Sequence, residues 1–195
     1  ERAAVGEAIE RWQTHALPVD ARVHAAQPDG EAIARSAWVL YSAAQYATPG
    51  FPFVPVAGAG PLDWVRFRRV GDGAPVWVPA ELAFMDLRPG AHHRFAPAIS
   101  TGWSAHVDVA TAVGRGILEV IERDALIGGW WGAYAIEALP FAPPPALARP
   151  NLTYRAYRID SPYSAHVTMV TVEGEDLEGA CFAIGSACRW HSTLC

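Results

Sequence analysis

The sequence predicts an α+β fold in which β-sheets are covered by helices. Three patterns carry that expectation. Residues 1–15 form an amphipathic helix, residues 107 to about 130 form a longer and more apolar one, and strand-like segments lie in two groups before and after the second helix.

Taken in order, the first helix carries Val5, Ile9 and Trp12 on one side and Glu7, Glu10 and Arg11 on the other, and Pro18 ends it. Over 31–47 a strand at 36–41 and a short helix after it both fit, up to Pro49-Gly50. Gly58 and Gly60 belong to a loop. The third glycine of a dinucleotide fingerprint is missing, and no helix follows. A hairpin comes next: 64–70 alternates, 71–73 turns and 74–79 returns, with Arg66, Arg68 and Arg69 as an exposed strand face. A further strand is expected over 81–85. The loop over 86–98 holds His92 and His93, which read as solvent-exposed without a third ligand. Ser100-Thr101-Gly102 suits a tight turn, Asp108 a helix N-cap or first-turn acid, and Gly128-Gly129 a helix end. A proline-rich connector spans 139–150. Strands are expected over 152–159, 166–172 and 180–184, with turns at 160–162 and 173–176.

Composition narrows the functional classes. The 195 residues are 51% hydrophobic and 18% charged, with a net charge of −5, so the chain can build a core. Neither a nucleic-acid groove nor an anionic membrane surface is favoured, because both need clustered Lys and Arg. The most apolar stretch, 125–136, has 12 residues including three glycines, whereas a membrane span needs roughly 20. No signal-peptide pattern opens the chain, and it lacks an initiator Met, so the expectation is a soluble, cytoplasmic chain incomplete at its N-terminus. Cys181, Cys188 and Cys195 are spaced C-x6-C-x6-C, which is not zinc spacing, and Cys181 reads as a buried thiol.

The chemistry concentrates in an E-x-x-E-R string that occurs twice, at 7–11 and at 119–123. Glu119 and Glu122 are flanked by Ile117, Leu118, Val120, Ile121, Ala125 and Leu126, the surround of a buried helix. Buried carboxylates are costly unless they meet cations. At about 100° per residue, Thr111, Arg115, Glu119 and Glu122 share one narrow face. Glu7 and Glu10 have the same i, i+3 spacing. If the two helices face each other, four carboxylates meet and call for a hard cation. Carboxylate oxygens with open positions suit Mg²⁺, and Mg²⁺ usually brings a phosphate substrate. The arginines could neutralise that phosphate or pair with the acids. Each string alone also reads as an ordinary charged helix turn.

Four segments carry a family resemblance: RAAVGEAIERW at 2–12, YSAAQYATPGFPF at 41–53, VWVPAELAFM at 76–85 and ISTGWSAHVDVATAVGRGILEVIERDALIGGWW at 99–131. In that order they resemble the YcaO superfamily, most closely the branch of thiazole/oxazole-modified microcin (TOMM) cyclodehydratases and TOMM precursor leader peptide-binding proteins. The resemblance implies a YcaO-like fold of mixed sheets covered by helices, with ATP and Mg²⁺ as cofactors. It implies a reaction in which ATP phosphorylates a backbone amide oxygen, a Cys, Ser or Thr side chain attacks that carbonyl, and phosphate leaves to give an azoline. It implies a ribosomal precursor peptide as substrate and an E1-like or leader-binding protein as partner. Glu7, Glu10, Glu119 and Glu122 match the family's Mg²⁺-binding acids, and Arg11 matches the arginine of its first nucleotide motif. Thr111 and Arg115 join them as candidate cofactor-binding residues by position. No catalytic side chain is assigned.

Three departures qualify that reading. Ala4 stands where the family often has Ser. Thr111 and Arg115 stand where it usually has Glu and then Gln or His, which leaves Arg115 either to bind phosphate or to pair with Glu119. GACFAIGSACR at 179–189 resembles a strand and turn that lead, in the family, into a further helix absent here. The expectation is therefore a partial YcaO domain over 1–190 with an unassigned tail over 191–195, a gene fragment or frame-disrupted product. A non-catalytic scaffold for a precursor peptide or partner protein is the competing function. A metal-dependent hydrolase is weaker, for want of a His ligand set.

Overall fold

The computed structural model describes residues 2–16, 18–38, 40–85, 94–176 and 179–191. The pair His92-His93 and Cys195 lie outside them. The chain divides into two compact units, Glu1–Ala105 and His106–Cys195.

The first unit opens with α1 (Arg2–His15). Its anticipated apolar side, Val5, Ile9 and Trp12, is exposed. The helix is tied down at its end instead: Thr14 is fully buried and its carbonyl accepts from the Met85 N–H at 2.9 Å. Three strands follow as an antiparallel sheet in the order β1–β2–β3, with β1 at Arg22–Ala25, β2 at Leu62–Arg68 and β3 at Pro75–Pro79. The hairpin is as expected, with Arg66 opposite Trp77. Its central strand is buried on both faces, Trp64 at one and Val65 at the other. Trp64 packs with Val56, Ala59, Leu62, Phe95 and Ala96, while Val65 packs with Ala80 and Phe84. Full burial of each such side chain contributes roughly 1.5–3 kcal/mol. Arg35 pins the loops above this core, donating to the carbonyls of Ala26, Val56 and Gly60 at 2.7, 3.2 and 2.7 Å.

Two expectations in this unit change. The strand over 81–85 is a 3₁₀ turn at Ala80–Leu82, in which Glu81 turns its carboxylate onto the Phe95 and Ala96 N–H groups at 3.0 and 3.1 Å. Over 36–41 none of the described residues is strand, and residues 35–37 form a 3₁₀ turn. The short helix holds, as α2 (Ala43–Tyr46), closed by a capping box in which Ser42 accepts from the Gln45 N–H and Gln45 accepts from the Ser42 N–H.

The second unit is one helix, α3 (Val109–Trp130), on a four-stranded antiparallel sheet ordered β4–β5–β6–β7. The strands are β4 (Ile136–Leu139), β5 (Leu152–Ser161), β6 (Ser164–Asp176) and β7 (Gly179–Cys188). The turn expected at 173–176 is strand: β6 continues through Asp176, because Leu152 and Thr153 of β5 pair with Gly174 and Glu173. Asp108 is the N-cap of α3. The helix ends past Gly128-Gly129 in a Schellman motif: Ala133 N–H donates to Gly128 O at 2.8 Å, Gly132 N–H donates to Gly129 O at 3.1 Å, and Gly132 takes φ +73°. Leu118 and Ala125 are buried on Ile159, Val167 and Cys188. Ile117, Val120 and Ile127 are equally apolar yet exposed, so α3 is buried along one face rather than all round.

Candidate functional site

In the first unit, Glu7 is exposed and pairs with Arg11, whose Nε donates to Oε1 at 2.9 Å. Arg11 also reaches the Ser100 hydroxyl at 3.5 Å. An exposed i, i+4 pair of this kind stabilises the helix by about 0.3–0.5 kcal/mol. Glu10 is half-buried, one turn on from Glu7.

In the second unit the predicted stripe along α3 divides into two parts. Thr111 is engaged by the cap: its backbone N–H and its hydroxyl both donate to Asp108 Oδ2, at 2.7 and 2.6 Å. These two bonds hold the Asp108 carboxyl below the usual carboxylate range. Arg115, one turn on, is exposed. Glu119 is half-buried and its ion pair is with Arg123, at 3.5 Å.

Glu122 is set differently. Its side chain lies against β7, where Oε1 accepts from the Ser186 hydroxyl at 2.5 Å and Oε2 accepts from the Cys188 N–H at 3.2 Å. Arg189 N–H donates to His166 O, so in the alternating antiparallel ladder Cys188 turns its own N–H away from β6, toward the open edge. The Glu122 carboxylate satisfies that edge donor. Ser186 was not among the expected site residues. Its only signal in the sequence is its spacing of two from Cys188, which puts both on one face of a strand.

The buried thiol is Cys188 rather than the expected Cys181. Cys188 is fully buried under α3, whereas Cys181 is partly exposed. Seven residues apart on a strand, they must lie on opposite faces. Among the described residues of either unit, no three His, Cys, Asp or Glu side chains converge as a metal cage, and no helix is long and apolar enough to cross a membrane.

A family model for the YcaO cyclodehydratase, ATP- and Mg²⁺-binding, matches residues 1–189. No curated protein matches in sequence. Among solved structures, the heterocyclase TruD is similar with a TM-score of 0.74 and 17% identity, over 98% of this chain and 31% of that one. A heterocyclase in complex with substrate and cofactor has a TM-score of 0.73 and 15% identity, over 97% of this chain and 28% of that one. YcaO from Methanopyrus kandleri, bound with AMPPCP and Mg²⁺, has a TM-score of 0.61 and 21% identity, over 94% and 45%. At these identities the likeness is one of fold, and it agrees with the α+β architecture. The chain spans between 28% and 45% of the length of these relatives. The match over residues 1–189 nonetheless covers nearly the whole chain, and the chain belongs to the YcaO family.

Proposed function

We propose that the chain is part of an ATP- and Mg²⁺-dependent enzyme that activates peptide backbone amides for azoline formation, thiazoline or oxazoline, in ribosomal peptide natural-product biosynthesis. The observation that carries this reading is the pair Glu119 and Glu122, one turn apart on α3, inside a match to an ATP- and Mg²⁺-binding family. The donor set fits the cation. Mg²⁺ prefers hard oxygen ligands and is commonly bound through one or two carboxylates, with water and substrate phosphate filling the rest. When bound, it would neutralise charge on the transferring phosphate.

In this reading Glu7, Glu10, Glu119 and Glu122 are the cation ligands, and Arg11, Arg115 and Thr111 lie on the nucleotide side. The substrate is a ribosomal precursor peptide, delivered with the help of an E1-like or leader-binding partner, in the cytoplasm. A second reading, a non-catalytic scaffold for that peptide or partner, is favoured by one observation. The Thr111 hydroxyl is committed to the Asp108 cap, where a nucleotide site would need it free to reach outward.

Incubation of the chain with Mg²⁺-ATP and a Cys-, Ser- and Thr-rich peptide, alone and with a partner protein, separates the two. The enzyme reading expects phosphate release together with loss of one water mass from the peptide. Absence of phosphate under every condition, with the peptide still bound, supports the scaffold.

A further inference from the structure

We infer that Ser186 is a positioning residue for Glu122, orienting its carboxylate for a divalent cation; this rests on Glu122 being a cation ligand, as proposed above. Glu119 and Glu122 share a helix face but are held in different ways. Glu119 pairs with Arg123 at 3.5 Å, on a long side chain that is more than half exposed. Glu122 is fixed at both oxygens by β7, through Ser186 Oγ at 2.5 Å and the Cys188 N–H at 3.2 Å.

The first of those bonds is of the short, charge-assisted kind, and the second comes from backbone that cannot rotate away. A carboxylate oxygen has two acceptor directions, so one bond on each still leaves each a direction for a cation. Holding the side chain beforehand also removes the rotamer freedom that an unheld Glu would lose on binding. Partners of this kind, one step behind the ligand, tune metal sites elsewhere. Ser186 and Cys188 are two apart on one strand, so the hydroxyl and the N–H reach the same carboxylate without distortion. The Cys188 N–H is supplied by any residue but proline at that position, which leaves the Ser186 hydroxyl as the element a side-chain substitution can remove.

The test uses Mn²⁺ alone as a paramagnetic probe, with free Mn²⁺ read by electron paramagnetic resonance, and thermal midpoints measured beside it. Ser186→Ala should weaken Mn²⁺ binding about 10-fold. Ser186→Thr, which keeps the hydroxyl, should bind as the wild type does. If Ser186→Ala does not fold, Ser186→Cys carries the comparison, since a thiol is a weaker donor of similar size, and its affinity should fall between the two. Unchanged affinity in Ser186→Ala or Ser186→Cys overturns the role while leaving the cation reading intact. So does a loss in Ser186→Thr as large as in Ser186→Ala, because the hydroxyl would then not be the cause. A wild-type chain that takes up no Mn²⁺ removes the cation reading and the role together.

Discussion

Asp108 accepts both hydrogen bonds that Thr111 can direct at it, from the backbone N–H at 2.7 Å and from the hydroxyl at 2.6 Å. One residue thus closes the first turn of α3 and occupies the first position of the polar stripe that runs toward Glu119 and Glu122. The cap therefore has a pH signature. Its carboxyl is held down mainly by the Thr111 hydroxyl, then by the Thr111 N–H. A lowered folded pKa means that the cap's contribution is fully present above the unfolded value of about 3.9 and is lost as pH falls through the folded value. Asp108→Ala should remove that acid-side dependence and lower the thermal midpoint at neutral pH by on the order of a few degrees, measured by circular dichroism. Thr111→Val should reproduce part of both effects.

Two glycines of α3 should respond to alanine in opposite ways. A Cβ at Gly128 would lie 2.2 Å from Tyr134 Cδ2 and 2.9 Å from its Cγ, so the whole ring would have to move. The ring is also anchored by its hydroxyl, which donates to Asp124 Oδ2 at 3.0 Å. Gly128→Ala should cost roughly 1–3 kcal/mol in denaturant unfolding. A Cβ at Gly114 would meet Trp190 Cζ2 at 3.4 Å, an ordinary contact, and Gly114→Ala should be neutral or stabilising by up to about 1 kcal/mol.

The Tyr134–Asp124 bond gives stability an alkaline-side dependence. Donation to Asp124 raises the Tyr134 pKa, with desolvation adding to it. A group raised on folding contributes its stability fully below the unfolded pKa, about 10 for tyrosine, and loses it as pH rises through the folded value. Tyr134→Phe should abolish that alkaline dependence, followed by denaturant midpoints and by the ultraviolet absorbance of tyrosinate.

Glu119→Gln keeps the shape of the side chain and removes the charge a cation needs. It should abolish any phosphate release, and the Arg123 pair it weakens is a partly exposed helix pair worth about half a kcal/mol. Arg123→Ala, with both glutamates intact, should leave release measurable.

Local signals are what the sequence displays best. Asp108, the alternating hairpin and the long strands β5, β6 and β7 are legible because caps, turns and two-residue periods act over a few residues. β1 is not. Its four residues, RVHA, carry no alternating buried pattern and become a strand only because β2, some 40 residues on, supplies Asp63, Trp64 and Val65 as partners. The 81–85 segment, ELAFM, is apolar enough for a short strand, but Glu81 is needed as an acceptor for Phe95 and Ala96, and the chain turns there instead. The E-x-x-E-R string on α3 marks both carboxylates, but nothing in it separates Glu119 from Glu122. Their difference comes from β7, more than 60 residues away, and only the register that sets Cys188 opposite Val167 brings Ser186 to Glu122.

β7 leaves its outer side without a strand partner among the described residues, and Phe182 and Ile184 stand exposed along it. A ten-residue edge of that kind is a template for another chain to add onto. Glu122 occupies one N–H at its C-terminal end and brings a negative charge to a place where an incoming strand would need a bare donor. The acid proposed as a cation ligand is thereby also a guard against self-association. Losing it should show first as aggregation on concentrating the protein, before any assay of chemistry is run.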